Sequence, residues 1–195
     1  MIRKNKNKTR KLTYRYKRKN YKKFEYMDNK SGATKKAYLT VLGRSTWALV
    51  NTYYAVLREK KYFPDRITIY SEEMYKEEIN RAIEGITIIN QRFGIQPEIE
   101  SITVGNNDFI DSATKIKEKI ENLKKCGYNI AVDITSGRKT LAAAAVLAAS
   151  RKRGASSIYY LSIKTTRNVA KPYLMIPLTI QQIRDFVEDC RNLYS

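Results

Sequence analysis

Five near-continuous apolar runs, each followed by a stretch with helical periodicity, constrain this chain more than any other feature. AYLTVLG (37–43), DRITIYS (65–71), PEIESITVG (97–105), YNIAVDIT (128–135) and SSIYYLSI (156–163) read as strands. Residues 46–61, 72–93, 109–125 and 138–153 read as the helices between them. Strands buried on both faces and separated by helices specify a parallel sheet covered on both sides. A sixth strand is expected over KPYLMIPL (171–178), at an edge because Pro177 lacks a ladder donor, and a closing helix over 179–194. The expected fold class is therefore α/β: a Rossmann-like, doubly wound, mostly parallel six-stranded sheet with helices on both faces.

Local signals set the boundaries. Ser45 is placed to cap the first helix, and Asn107 or Asp108 the third. Glu72 and Glu73 fall in the expected first turn of the second helix, where the macrodipole favours acids. Gly94 and Gly127 follow helices as terminators.

Charge divides the chain in two. The net charge is +19. Residues 1–36 hold 15 Lys/Arg against two acids, and residues 37–195 hold 23 against 17. We read 1–36 as a basic arm, with no sustained period, in front of a domain spanning 37–195. Its tyrosines (Tyr14, Tyr16, Tyr21, Tyr26) sit among cations, as in chains that stack on single-stranded bases, so nucleic acid is one candidate partner. A solubilising tail is the other reading.

The chain contains no histidine. That excludes Ser-His-Asp and Cys-His nucleophile systems and any ribonuclease chemistry requiring a histidine of this chain. Cys126 and Cys190 have no metal-type spacing and fit free thiols in a reducing cytoplasm. No run approaches the roughly 18–20 apolar residues of a membrane span, and no secretory h-region is present. No membrane partner, cofactor or metal site is expected.

In a doubly wound sheet, ligands bind beyond the carboxyl ends of the strands, where the strand order reverses. Three such ends combine glycine with hydroxyl or amide side chains: LGRST (42–46), VGNND (104–108) and DITSGRKT (133–140). Each opens a helix, so unpaired N–H groups and a positive dipole end face the cleft, which suits an anion such as phosphate. In DITSGRKT the adjacent Arg138 and Lys139 oppose the macrodipole unless an anion relieves them. A Walker A loop does not fit, because Arg138 occupies the position of the second glycine; LGRST likewise lacks G-x-G-x-x-G. The alanines from Ala142 to Ala149 permit close helix packing, and a symmetric dimer contact is expected there.

The strand ending D-I-T-S-G-R-K-T, with its small-residue helix, resembles the D-x-T-G-G-x-K-x motif of CRISPR-associated Rossmann-fold (CARF) domains. L-G-R-S-T followed by W-A-L-V-N is similar to the other signature of that family, and the resemblance covers roughly residues 37–178. Ser136 stands where the motif has its first glycine. The resemblance implies a homodimer that binds cyclic oligoadenylate, most plausibly cyclic tetra-adenylate, across its two-fold axis. With one helix after the last strand, it implies a stand-alone ring nuclease. Such enzymes cut without metal: a ribose 2′-OH attacks the neighbouring phosphate in line, giving linear di-adenylate with a 2′,3′-cyclic phosphate and switching the type III CRISPR signal off. Carried over by position, Lys139 would stabilise the transition state and Ser45 would position phosphate or ribose. Gly43, Arg44, Thr46, Asn106, Asn107, Asp133, Thr135, Ser136, Gly137 and Arg138 would hold the ring, and Lys164 and Arg167 would close over it. A sensor or sink that binds without cutting, and a regulator acting through the arm, are the alternatives.

Overall fold

A computed structural model describes residues 34–165 and 170–193. Of the basic arm, residues 1–33 lie outside the described residues, as does Arg167.

Six strands form one sheet: β1 (Lys36–Leu42), β2 (Arg66–Glu72), β3 (Glu98–Val104), β4 (Asn129–Asp133), β5 (Ser157–Ile163) and β6 (Gln181–Asp185), in the order β3-β2-β1-β4-β5-β6. β1 to β5 are parallel, and β6 pairs antiparallel with β5. The helices are α1 (Thr46–Glu59), α2 (Glu78–Phe93), α3 (Phe109–Lys125), α4 (Lys139–Ala149) and α5 (Phe186–Leu193). α1 and α2 cover one face over a core of Tyr38, Leu42, Leu49, Tyr53, Ile67, Ile69 and Ile86. α3 and α4 cover the other, over Leu39, Val41, Tyr70, Ile116, Ile130, Val132 and Leu141. Central strand β1 feeds both layers by alternation, so it carries no surface face. The mostly parallel six-stranded Rossmann-like sheet is as expected.

Three boundaries differ from expectation, each for a local reason. KPYLMIPL is not a strand. Pro172 and Pro177 each start a tight turn, their carbonyls accepting from the N–H of Met175 (2.8 Å) and Ile180 (3.1 Å). The residues buried there, Tyr173 and Ile176, are three apart rather than two. The sixth strand begins at Gln181 and takes residues expected to be helical, leaving the closing helix only Phe186–Leu193. Glu72 and Glu73 are also not helical. Glu72 ends β2 with its side chain buried, Glu73–Tyr75 is a 3-10 turn, and Glu78 is the acid in the first turn of α2.

The caps at the sheet's carboxyl edge agree with the sequence. Ser45 Oγ accepts from Ala48 N–H at 3.2 Å, and Asp108 Oδ1 from Asp111 N–H at 2.9 Å. On α4, Ala144, Ala145, Ala148 and Ala149 are buried beneath α3 and against the sheet, whereas Ala143 and Leu147 face outward. The small residues thus bring α4 close to its own sheet and neighbour helix.

Candidate functional site

The chain runs from β1 outward to β2 and β3, then returns through α3 to β4 on the other side of β1. The strand order therefore reverses between β1 and β4. The loops leaving their carboxyl ends, 43–45 and 134–138, bound the crevice where ligands bind in such sheets.

Ser136 locks these two loops together. Its hydroxyl donates to the Ser45 carbonyl at 2.8 Å and sits 3.4 Å from the Gly43 N–H. A Cβ on Gly43 would lie 2.4 Å from the Ser136 carbonyl oxygen and 3.2 Å from the Arg138 nitrogen. One on Gly137 would lie 2.5 Å from Val41 Cγ2. Both glycines are therefore required by close approach. Ser136 supplies a bond between loops that a glycine could not make.

Asp133 anchors the floor and is 0% exposed. Oδ2 accepts from the Thr40 hydroxyl on β1 at 2.8 Å. Oδ1 accepts from the N–H (2.9 Å) and hydroxyl (2.7 Å) of Thr135. The Thr135 hydroxyl oxygen in turn accepts from Leu161 N–H on β5 at 2.9 Å. Burial pushes the Asp133 carboxyl up to about 6, against the hydrogen bonds from Thr135 and Thr40 that hold it down. Asp133 and Thr135 thus point into the fold and order the loop backbone.

Cations crown the crevice. Arg44 and Lys139 are exposed and form no hydrogen bond or ion pair among the described residues. Lys139 is the first residue of α4, whose first turn has no capping side chain and no acid; α1 also lacks an acid in its first turn. Helices α2 and α3, away from the switch point, carry Glu78 and Asp111 there. The α4 end at the crevice thus has neither a capping side chain nor a first-turn acid, whereas α1 is capped by Ser45 and its first residue, Thr46, meets the Glu78 carboxylate.

Other residues named from the sequence have structural engagements. Thr46 Oγ1 donates to Glu78 Oε2 at 3.1 Å. Asn106 Oδ1 accepts from Met74 N–H at 3.0 Å, and Asn107 N–H donates to Glu72 Oε1 at 2.7 Å. Arg138 turns towards β2, with Nη1 3.7 Å from Glu72 Oε2 and 3.1 Å from Met74 Sδ. Lys164, at the end of β5, is exposed beside a recess of about 220 Å³ lined by segment 178–182, and its N–H donates to Ile180 O at 2.7 Å. Two residues of this edge escaped the sequence reading. Trp47, 40% exposed at the start of α1, offers an aromatic face next to the β1 loop. Glu72 was hidden by its assignment to a helix; only the strand's true end reveals it.

No family model and no curated protein matches the chain. Solved structures do. Csm6 from Enterococcus italicus, bound to cyclic hexa-2′-fluoro-hexa-dAMP, superposes with a TM-score of 0.57 at 15% identity, covering 83% of this chain and 45% of that one. A type III CRISPR defence DNA nuclease activated by cyclic oligoadenylate gives 0.50 at 14% identity, covering 68% and 19%. Can2 from Sulfobacillus thermosulfidooxidans, in complex with cyclic tetra-adenylate, gives 0.47 at 20% identity, covering 64% and 31%. The chain spans less than half the length of each. In fold, then, it matches Csm6 and a type III CRISPR defence DNA nuclease, in keeping with its resemblance to the CARF family.

Proposed function

We propose that the chain binds a cyclic oligoadenylate, cyclic tetra-adenylate, across the switch-point crevices of two copies, and that it cleaves the ring. One observation carries the reading: Ser136 locks together the two loops at the reversal of strand order, which bring Arg44 and the uncapped α4 end with Lys139 to one edge of the sheet, neither side chain with a partner among the described residues. Two cations carried on loops that are locked together, beside free backbone N–H groups, suit phosphates held in a set order.

Cleavage by this site uses a nucleophile that the ligand brings. The 2′-oxygen forms a bond to the adjacent phosphorus and loses its proton, the P–O5′ bond breaks, and the leaving oxygen gains a proton. Two such cuts turn the tetra-adenylate ring into two di-adenylates with 2′,3′-cyclic phosphates. Lys139 Nζ stabilises the charge that builds on the phosphoryl oxygens. Ser45, whose oxygen accepts from Ala48 N–H, keeps its own proton available to a phosphate or ribose oxygen. The protein's main contribution is alignment and fixed positive charge.

A second reading, binding without cleavage, is favoured by the commitment of the Ser136 hydroxyl to the loops themselves. Incubation with cyclic tetra-adenylate in EDTA, with products resolved by chromatography and binding followed in parallel, separates the two. Linear di-adenylate from wild type, with Lys139→Ala slower by about 10²–10³, is expected. Tight binding of an intact ring would leave a sensor or sink. Neither binding nor cleavage would overturn the proposal for this ring.

A further inference from the structure

Glu72 is an unusual neighbour for a phosphate site. Its side chain is 1% exposed, and it ends β2 beside the crevice. Oε1 accepts from Asn107 N–H at 2.7 Å. Oε2 is buried and has no hydrogen-bond partner among the described residues. Its compensation is the Arg138 guanidinium at 3.7 Å, beyond hydrogen-bond range. Arg138 is 35% exposed and belongs to the loop that Ser136 locks to β1, so its charge crosses the end of β1 to reach β2.

Between these two side chains there is charge attraction but no hydrogen bond; the other contact of Arg138 Nη1 is Met74 Sδ, at 3.1 Å. A phosphate offers guanidinium two short, charge-assisted hydrogen bonds and would outcompete a carboxylate oxygen that makes none. Its capture of Arg138 would leave a buried carboxylate without a cation, which costs free energy. Resting on the reading that these loops bind phosphates, we propose that Arg138 is a phosphate ligand held in reserve and that Glu72 is its built-in competing anion. Glu72 is thus a positioning residue: it seats Arg138 over β1 until a ligand phosphate replaces it, and it lowers the site's affinity in doing so. Arg44 and Lys139 form the standing part of the site, and Arg138 the part gained on binding.

Glu72→Gln tests this because its amide oxygen still accepts from Asn107 N–H while the charge is lost. Two readouts are needed. The first uses no ligand: phenylglyoxal labelling of the full chain, scored at each arginine by peptide mass spectrometry. In wild type, Arg138 should label several-fold more slowly than Arg44; in Glu72→Gln the two rates should converge. The second is cyclic tetra-adenylate binding over a series of salt concentrations. Glu72→Gln should bind severalfold more tightly at each salt concentration, because Arg138 no longer has to leave an anion to meet a phosphate. Arg138→Gln should cost more affinity in the Glu72→Gln background than in wild type. Equal labelling of Arg138 and Arg44 in wild type overturns the proposal even if the variant fails to fold. So does weaker binding by a folded Glu72→Gln, which would make Glu72 a structural or direct ligand contact. If the ring binds neither protein but the labelling rates converge, the ring reading falls and the Glu72–Arg138 seat stands.

Discussion

Replacing Asp133 with asparagine should change how stability depends on pH, by an amount the structure sets. Asparagine retains an oxygen for the Thr135 N–H and hydroxyl, and the Thr40 hydroxyl can turn to accept from the new amide. What disappears is ionisation. Burial raises the Asp133 carboxyl from 3.8 to about 6 in the folded protein. Well below pH 3.8 it is protonated in folded and unfolded chains alike and contributes no difference. Between about 4 and 6 the folded chain keeps a proton that the unfolded chain releases, so stability falls as pH rises. Above about 6 the whole cost of a buried carboxylate stands, about 3 kcal/mol for this gap.

The assay is urea unfolding of wild type and Asp133→Asn at constant ionic strength from pH 4 to 7.5. The difference between the two proteins is what matters. Glu100 and Asp111, whose carboxyls are held low by Lys119 and Lys115 despite burial, lose stability towards acid and would mask the effect in either curve alone. They are common to both proteins and cancel. The stability of wild type minus that of the variant should fall by about 2.5 kcal/mol across the range, most steeply between pH 4 and 6. Parallel curves would show that Asp133 ionises as an ordinary surface acid does. A difference that rises with pH would show that its hydrogen bonds outweigh its burial. Either result would refute the reasoning.

Two further substitutions probe the crevice. Gly43→Ala places its Cβ 2.4 Å from the Ser136 carbonyl oxygen, backbone against backbone, so the two loops must part; thermal unfolding should register a loss of about 1–3 kcal/mol, and ring binding should weaken more than tenfold. Ser45→Ala removes the α1 cap and should cost about 1 kcal/mol by urea midpoint, whereas Ser45→Gly should recover most of that. If Ser45 also touches the ring, cleavage stays slow in Ser45→Gly at saturating ring; recovery of rate with stability would confine it to capping.

What the sequence made legible, and what it hid, follows from how each residue reports its surroundings. β1, β2 and β4 are buried on both faces, and β5 is buried at Ile158, Tyr159 and Leu161, so hydropathy finds all four within a residue or two. Ser45 and Asp108 cap through contacts three residues away, and such local bonds leave a local signature. β6 does not. Its buried face is Gln181, Ile183 and Asp185. Gln181 is buried because its amide donates to the Tyr173 and Ile176 carbonyls, and Asp185 because it accepts from Ile158 and Val187 N–H. Polar residues made fit for the interior by distant backbone look like surface in a linear reading, while the apolar 173–178 segment before them looks like a strand and is a pair of turns. Glu72 hides by the same mechanism. An acid before a helical period looks like a first-turn acid; only the β3–α3 loop folding back to donate Asn107 N–H makes it the end of a strand. At the crevice this divides the residues by origin. The motif residues are consecutive because one loop carries them, but the anion that restrains Arg138 comes from a different strand 66 positions earlier in the sequence. On the proposed reading, the motif names the groups that would meet a ligand, while the affinity with which they would meet it is set by a neighbour, Glu72, that no linear pattern includes.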